Sequence, residues 1–200
     1  MRLTHWLLLA GLAMSARTAA AQAPFPAPVD HDFVARDVRF ESGDVAAEIR
    51  LHYRTMGQPR KDADGVVRNA VLILHGTGGS GAGFVAPGYA GLLFGAGQLL
   101  DAERYFIILP DNVGHGQSSK PSDGLHMRFP RYRYTDMVQL QHRLVTEGLG
   151  LTQLRLVMGT SMGAMHAWMG MRPKRLSTPQ TLPSGAMRCG SRSRVCPMAM

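Results

Sequence analysis

The sequence predicts an α/β fold, a mostly parallel sheet with helices on both faces, and three observations carry that reading. Ala70–Leu74, Phe106–Leu109 and Leu154–Met158 are short, apolar runs flanked by Gly, Pro or Asp, as in strands covered on both sides. Glu48–Thr55 alternates polar and apolar residues, the period of a half-buried strand. Between the last two apolar runs, Met137, Leu140, Leu144 and Val145 recur at helical spacing. Strand, helix, strand, helix in that order makes a parallel sheet sandwiched by helices.

The elements follow in order. Phe33–Phe40, closed by Ser42-Gly43, is expected to pair antiparallel with the alternating strand. Ala70–Leu74 runs into the glycine-rich stretch His75 to Gly81, and Phe106–Leu109 into the polar, glycine-rich stretch Asp111 to Ser119. Thr135 or Asp136 caps the helix that Gly148 and Gly150 end. Leu154–Met158 leads into Gly159-Thr160-Ser161-Met162-Gly163 and then the apolar stretch Met162–Met169. All three loops leave the carboxyl edge of the sheet, where catalytic groups collect in such folds.

Both ends of the chain differ from this middle. Arg2, the apolar run Trp6–Met14 and Ala19-Ala20-Ala21 before Gln22 have the charged, hydrophobic and cleavage regions of a secretory signal. Residues 1–21 are therefore expected to be removed on export to the periplasm or beyond. The run is too short to span a bilayer, so no stable membrane insertion is expected after cleavage. Residues 22–170 form one partial domain. Residues 171–200 are rich in Arg, Ser, Pro and Gly without apolar period, and are expected to be a disordered, aberrant tail.

Charge and cysteines narrow the function classes. The net charge is +8, but six of the 22 basic residues and none of the 14 acidic ones fall after Met171. The excess belongs to the tail, which also lacks aromatic residues for stacking bases, so no nucleic-acid partner is expected. Cys189 and Cys196 lie in the same tail at a spacing unlike a zinc pair. Neither a metal nor any other cofactor is called for.

The chemistry centres on Ser161. In Gly-x-Ser-x-Gly between a strand and a helix, the glycines permit a turn sharp enough to lift the serine hydroxyl clear of the sheet, while the following N–H, of Met162, points at a reacting carbonyl. The loop after the first buried strand supplies a second donor, for which Thr77 is the candidate. Gly76, Gly78 and Gly81 also match a dinucleotide fingerprint, with Asp101 about twenty residues on. Against that, Asp101 precedes the next strand, and Gly83, Pro87 and Gly88 interrupt the helix that should begin at the third glycine. His75 reads as a strand-end anchor for its loop and His115, between glycines, as part of a backbone turn. The methionines around Ser161 read as adaptable packing, not as metal ligands.

Together, Val71–Ser80, Tyr105–Asp111, Ser118–Gly124 and Gly159–Gly163 resemble the homoserine O-acetyltransferase branch of the α/β-hydrolases over roughly residues 33–169. The resemblance implies an α/β-hydrolase fold, a serine nucleophile at Ser161, an oxyanion hole from Thr77 and Met162, and transfer of an acyl group from a small ester or acyl substrate through an acyl-enzyme. It also implies an acid and then a histidine downstream of the serine. Here no Asp or Glu follows Ser161, and the one histidine, His166, is five positions along the same helix, about 140° around from it. The expectation is a fold truncated after the elbow helix, inactive by itself, with Leu154–Met158 as an apolar edge open to self-association. Export argues for an ester over acetyl-CoA, a cytosolic donor. Homoserine acetylation is the alternative activity, and a non-catalytic binding protein on the same fold is the other.

Overall fold

The computed structural model describes residues 25–171. The expected signal segment, the tail beyond Met171 and both cysteines lie outside the described residues. The described residues form a five-stranded sheet in the order β1-β2-β4-β3-β5 with three α-helices. β1 (Val29–Arg39) and β2 (Val45–Met56) make the expected antiparallel hairpin, with Ala35 opposite Ile49, and β1 begins four residues earlier than the apolar pattern indicates. Its tight turn is closed by Phe40 N–H donating to Asp44 O at 3.0 Å.

β3 (Ala70–Leu74) is the centre of the molecule. It pairs in parallel with β4 (Phe106–Pro110) on one side and with β5 (Leu156–Gly159) on the other. Every residue of β3 and β4 is buried, as continuous apolar runs require. The sheet as a whole is mixed: parallel across β4, β3 and β5, antiparallel where β2 joins β4 and β1.

Alternation along β3 divides the core. Leu72 and Leu74 face a cluster with Ile108, Met137, Leu140, Leu144 and Met162, which buries α2 (Tyr134–Arg143) and α3 (Met162–Met171). Val71 and Ile73 face the opposite cluster, with Ile107, Leu109, Phe84, Ala90 and Phe94, beneath α1 (Pro87–Leu93). Helices thus cover both faces.

Two local expectations change. Asp136 does not sit at the N-cap of α2; the cap is Arg133, whose N–H donates to Asp136 Oδ2 at 2.8 Å, so Asp136 closes the turn from three residues inside. Its other oxygen accepts from Glu41 N–H at 2.8 Å and ties the helix start to the end of the hairpin. The last strand is shorter than its apolar run and is only partly covered, and among the described residues β5 pairs with β3 alone. Leu156 is 39% exposed.

Candidate active site

Between β5 and α3 the chain reverses within two residues, and Ser161 carries the strain. Its φ is +49°, the left-handed region that costs an L-residue about 1–2 kcal/mol. The flanking glycines are demanded by contact. A Cβ at Gly159 would lie 2.3 Å from the Gly163 carbonyl carbon, and one at Gly163 would lie 2.1 Å from Leu74 O. Thr160 N–H donates to Leu74 O at 3.1 Å, pinning the turn to the carboxyl end of β3. Ser161 is left exposed, and none of the hydrogen bonds among the described residues engages its hydroxyl. This is the nucleophile-elbow geometry expected of the motif.

The glycine loop after β3 is held at both ends. His75, 2% exposed, donates from Nδ1 to Gly76 O at 2.8 Å and accepts Asn112 N–H on Nε2 at 3.0 Å. Those two bonds demand a neutral ring, and burial holds its pKa below the usual histidine value. At the far end, Gly81 N–H donates to Asp111 Oδ1 at 2.7 Å. Asp111, 1% exposed, also accepts Gln117 N–H on Oδ2 at 2.8 Å and pairs with Arg54 at 3.3 Å; Arg54 reaches on to Asp30 at 2.9 Å. Held in this way, the loop lies against the elbow: a Cβ on Gly76 would be 3.3 Å from Ser161 Cβ.

Thr77 and Met162 both line one cavity of about 630 Å³, together with His115, Tyr132, Arg133 and Met169. Neither the Thr77 nor the Met162 backbone N–H is consumed by a backbone hydrogen bond among the described residues. The cavity wall is largely apolar, suited to an acyl chain.

Among the described residues no histidine is hydrogen-bonded to the Ser161 hydroxyl. His75 is committed at both nitrogens. His115 bonds through Nδ1 to Val113 O at 3.1 Å and its ring lies 5.2 Å from that of His75, tilted by 53°, within a turn of positive-φ Gly114 and Gly116. His166 is 1% exposed and bonded through Nδ1 to Gln141 at 3.2 Å. Burial, with His75 and His115 nearby, lowers its pKa to about 4. The nucleotide reading also fails on geometry, since the first α-helix after the loop begins at Pro87, six residues past Gly81, and Asp101 is spent on the Gly97 and Glu103 amides of a turn. Among the described residues no His, Cys, Asp or Glu cluster is arranged to hold a metal ion, and no helix is long and apolar enough to cross a membrane.

Sequence reasoning passed over Arg54, Asn112 and Gln141. Gln141 had a signal: it lies four residues after Met137, on the apolar face of α2, where a polar side chain must find buried partners. Arg54 had a fainter one, a cation on a strand whose last six residues prove to be buried throughout.

Known proteins resemble this chain in sequence and fold. A chain from Methanothermobacter thermautotrophicus named as a probable acyltransferase is 35% identical over 136 residues, covering 68% of this chain and 41% of its own. A homoserine O-acetyltransferase of Solidesulfovibrio magneticus is 38% identical over 142 residues, covering 64% and 34%. Among solved structures, an acetylester hydrolase from Corynebacterium glutamicum superimposes with a TM-score of 0.59 at 29% identity, covering 69% of this chain and 38% of that one. The chain thus spans less than half of the length of the curated relatives it matches. The family model described as the alpha/beta hydrolase fold matches residues 69–170, from the strand before the glycine loop through the elbow helix. With sheet order, elbow and family model in agreement, the chain belongs to the α/β-hydrolase fold family.

Proposed function

We propose that Ser161 is the nucleophile of a serine-dependent acyl-transfer or ester-hydrolysis reaction. Its hydroxyl oxygen attacks the carbonyl carbon of a small ester or thioester, the leaving alcohol or thiol departs with a proton, and the acyl group on Ser161 then passes to an alcohol or to water. Thr77 and Met162 N–H groups stabilise the oxyanion that forms in each half. The observation that carries this reading is the exposed serine held at φ +49° beside the glycine loop, with Thr77 of that loop and Met162, the residue after the serine, lining one cavity. Strain of this kind persists where the surroundings impose it, and it clusters at active sites.

The acyl donor is an ester if residues 1–21 act as an export signal, because acetyl-CoA stays in the cytosol; no cofactor is then required. The names of the relatives favour the second reading, acetyl transfer to homoserine. In either case activation needs more than the described residues offer. No carboxylate follows Ser161 in the sequence, and the one later histidine is the buried His166. The chain by itself therefore runs on its oxyanion donors alone, a loss on the order of 10⁶-fold against a complete triad.

The test combines a nitrophenyl ester with a fluorophosphonate. The 200-residue chain should show negligible turnover and slow labelling confined to Ser161 by peptide mapping. Labelling spread over other serines refutes Ser161 as the nucleophile. Rapid turnover abolished by Ser161→Ala refutes the missing base.

A further inference from the structure

Four polar side chains are sealed in the core between the glycine loop and α3: His75, Asn112, Gln141 and His166, each 5% exposed or less. They come from four elements, the loops after β3 and β4, α2 and α3. Gln141 Nε2 has two hydrogens. One is donated to Asn112 Oδ1 and the other, at 3.2 Å, to His166 Nδ1. Asn112 in turn donates its backbone N–H to His75 Nε2, the anchor of the loop that carries Thr77.

With the Gln141 amide oriented as it is in the structure, the role of every member follows. His75 accepts on Nε2, so its proton is on Nδ1, which donates to Gly76 O. His166 accepts on Nδ1, so its proton is on Nε2, which has no partner, as Asn112 Nδ2 has none. The two histidines must be opposite tautomers. A helix such as α3 needs this constraint. Apart from His166 its side chains are those of Met, Ala, Gly and Trp, and Trp168 is 67% exposed, so adaptable or absent side chains define its rotation weakly.

We propose that Gln141 is a positioning residue for the acyl site: one amide nitrogen joins Asn112 to His166, so that the rotation of α3, and with it the direction of Met162 N–H, is set by the network that anchors the Thr77 loop. The role rests on the reading of Ser161, Thr77 and Met162 as the reacting groups, whereas the hydrogen-bond geometry does not.

The experiment is ¹⁵N NMR of the full-length, uniformly labelled chain at neutral pH. In the unaltered protein His75 should carry its proton on Nδ1 and His166 on Nε2. In Gln141→Met, which keeps length and straightness but donates nothing, His166 should lose its single tautomer, and the amide resonances of Met162 and Thr77 should move together. A proton on His166 Nδ1 in the unaltered protein would mean the opposite orientation of the Gln141 amide and overturns the proposal. So does a Gln141→Met protein in which the His166 signature changes while both amides stay in place. Should that variant not fold, the tautomer pair of the unaltered chain decides. Absence of Ser161 labelling with the tautomers as expected would sink the acyl-transfer reading and leave the bridge intact.

Discussion

Asp111 Oδ1 accepts the N–H of Gly81 at 2.7 Å, so the residue that follows β4 holds the far end of the loop that leaves β3. The same carboxylate neutralises Arg54, which is 7% exposed. Asp111→Ala would leave that guanidinium buried with only the exposed Asp30 opposite, and it should cost about 3–5 kcal/mol in denaturant unfolding. Glu48→Ala, which breaks the solvent-exposed pair with Arg36, should cost less than about 1 kcal/mol.

Relief of strain at the elbow should be measurable. Ser161→Gly removes the Cβ that makes φ +49° costly, while Ser161→Ala keeps it. The glycine variant should therefore unfold at higher denaturant than the alanine variant, by about 1 kcal/mol once the greater freedom of unfolded glycine is counted. Equal midpoints would mean that the turn is not strained.

Glycines of α3 separate into two kinds. Gly163→Ala drives a methyl group to within 2.1 Å of Leu74 O, which is backbone and cannot step aside, and should destabilise by about 3 kcal/mol. Gly170→Ala meets nothing nearer than Val138 at 3.8 Å and should stabilise by about 0.5–1 kcal/mol through helix propensity. Thermal melts of the two variants, compared with the unaltered chain, distinguish the cases.

Acid should unfold the protein in a window set by His166. Its pKa falls from the usual 6.5 to about 4 in the fold, chiefly through burial, so between those values the unfolded chain binds the proton and the folded one does not. The stabilisation is complete above pH 6.5 and is lost as pH falls toward 4, at up to about 1.4 kcal/mol per pH unit. His75, depressed by burial in the same direction, adds to the slope. His166→Gln should flatten the pH dependence of the unfolding free energy in this window; an unchanged slope would count against a neutral buried His166.

The open side of β5 should govern association. Leu156 projects a partly exposed apolar side chain from a strand paired on one side only among the described residues. Self-association seen by sedimentation should weaken in Leu156→Lys, since a charge on an edge strand opposes pairing with another chain. Association equal in both proteins would assign it to another surface.

The central strands and the elbow were legible in the sequence because each announces itself locally. Ala70–Leu74 and Phe106–Leu109 are apolar without a break, and Gly159–Gly163 combines strand, turn and helix in a few residues. The role of Asp136 was misassigned by three residues, since an acidic residue at the start of a helix serves equally as the cap or as its partner from within the first turn. The partial cover of β5 was not legible, because what packs on the faces of a strand is a matter of tertiary packing. The polar network was hidden for a related reason. Arg54, Asn112 and Gln141 meet partners between 24 and 57 residues away in the chain, and spacing along a single element carries no record of that.

β2 has twelve residues and its neighbour β4 has five, so β2 runs on past the point where β4 ends. Along that overhang Asp111 N–H bonds to His52 O, Ser118 Oγ accepts His52 N–H, Ser119 Oγ accepts Arg50 N–H, and Ser119 N–H bonds to Arg50 O. The two ends of the stretch from Asp111 to Ser119 are therefore stitched to a rail of backbone that the hairpin itself keeps straight. A change that moved either end would have to break these bonds before it could alter the cavity. Diversity in what the pocket admits is consequently directed away from these two ends, to the residues between anchors that reach the cavity: His115 within the stretch, and Tyr132 and Arg133 beyond it.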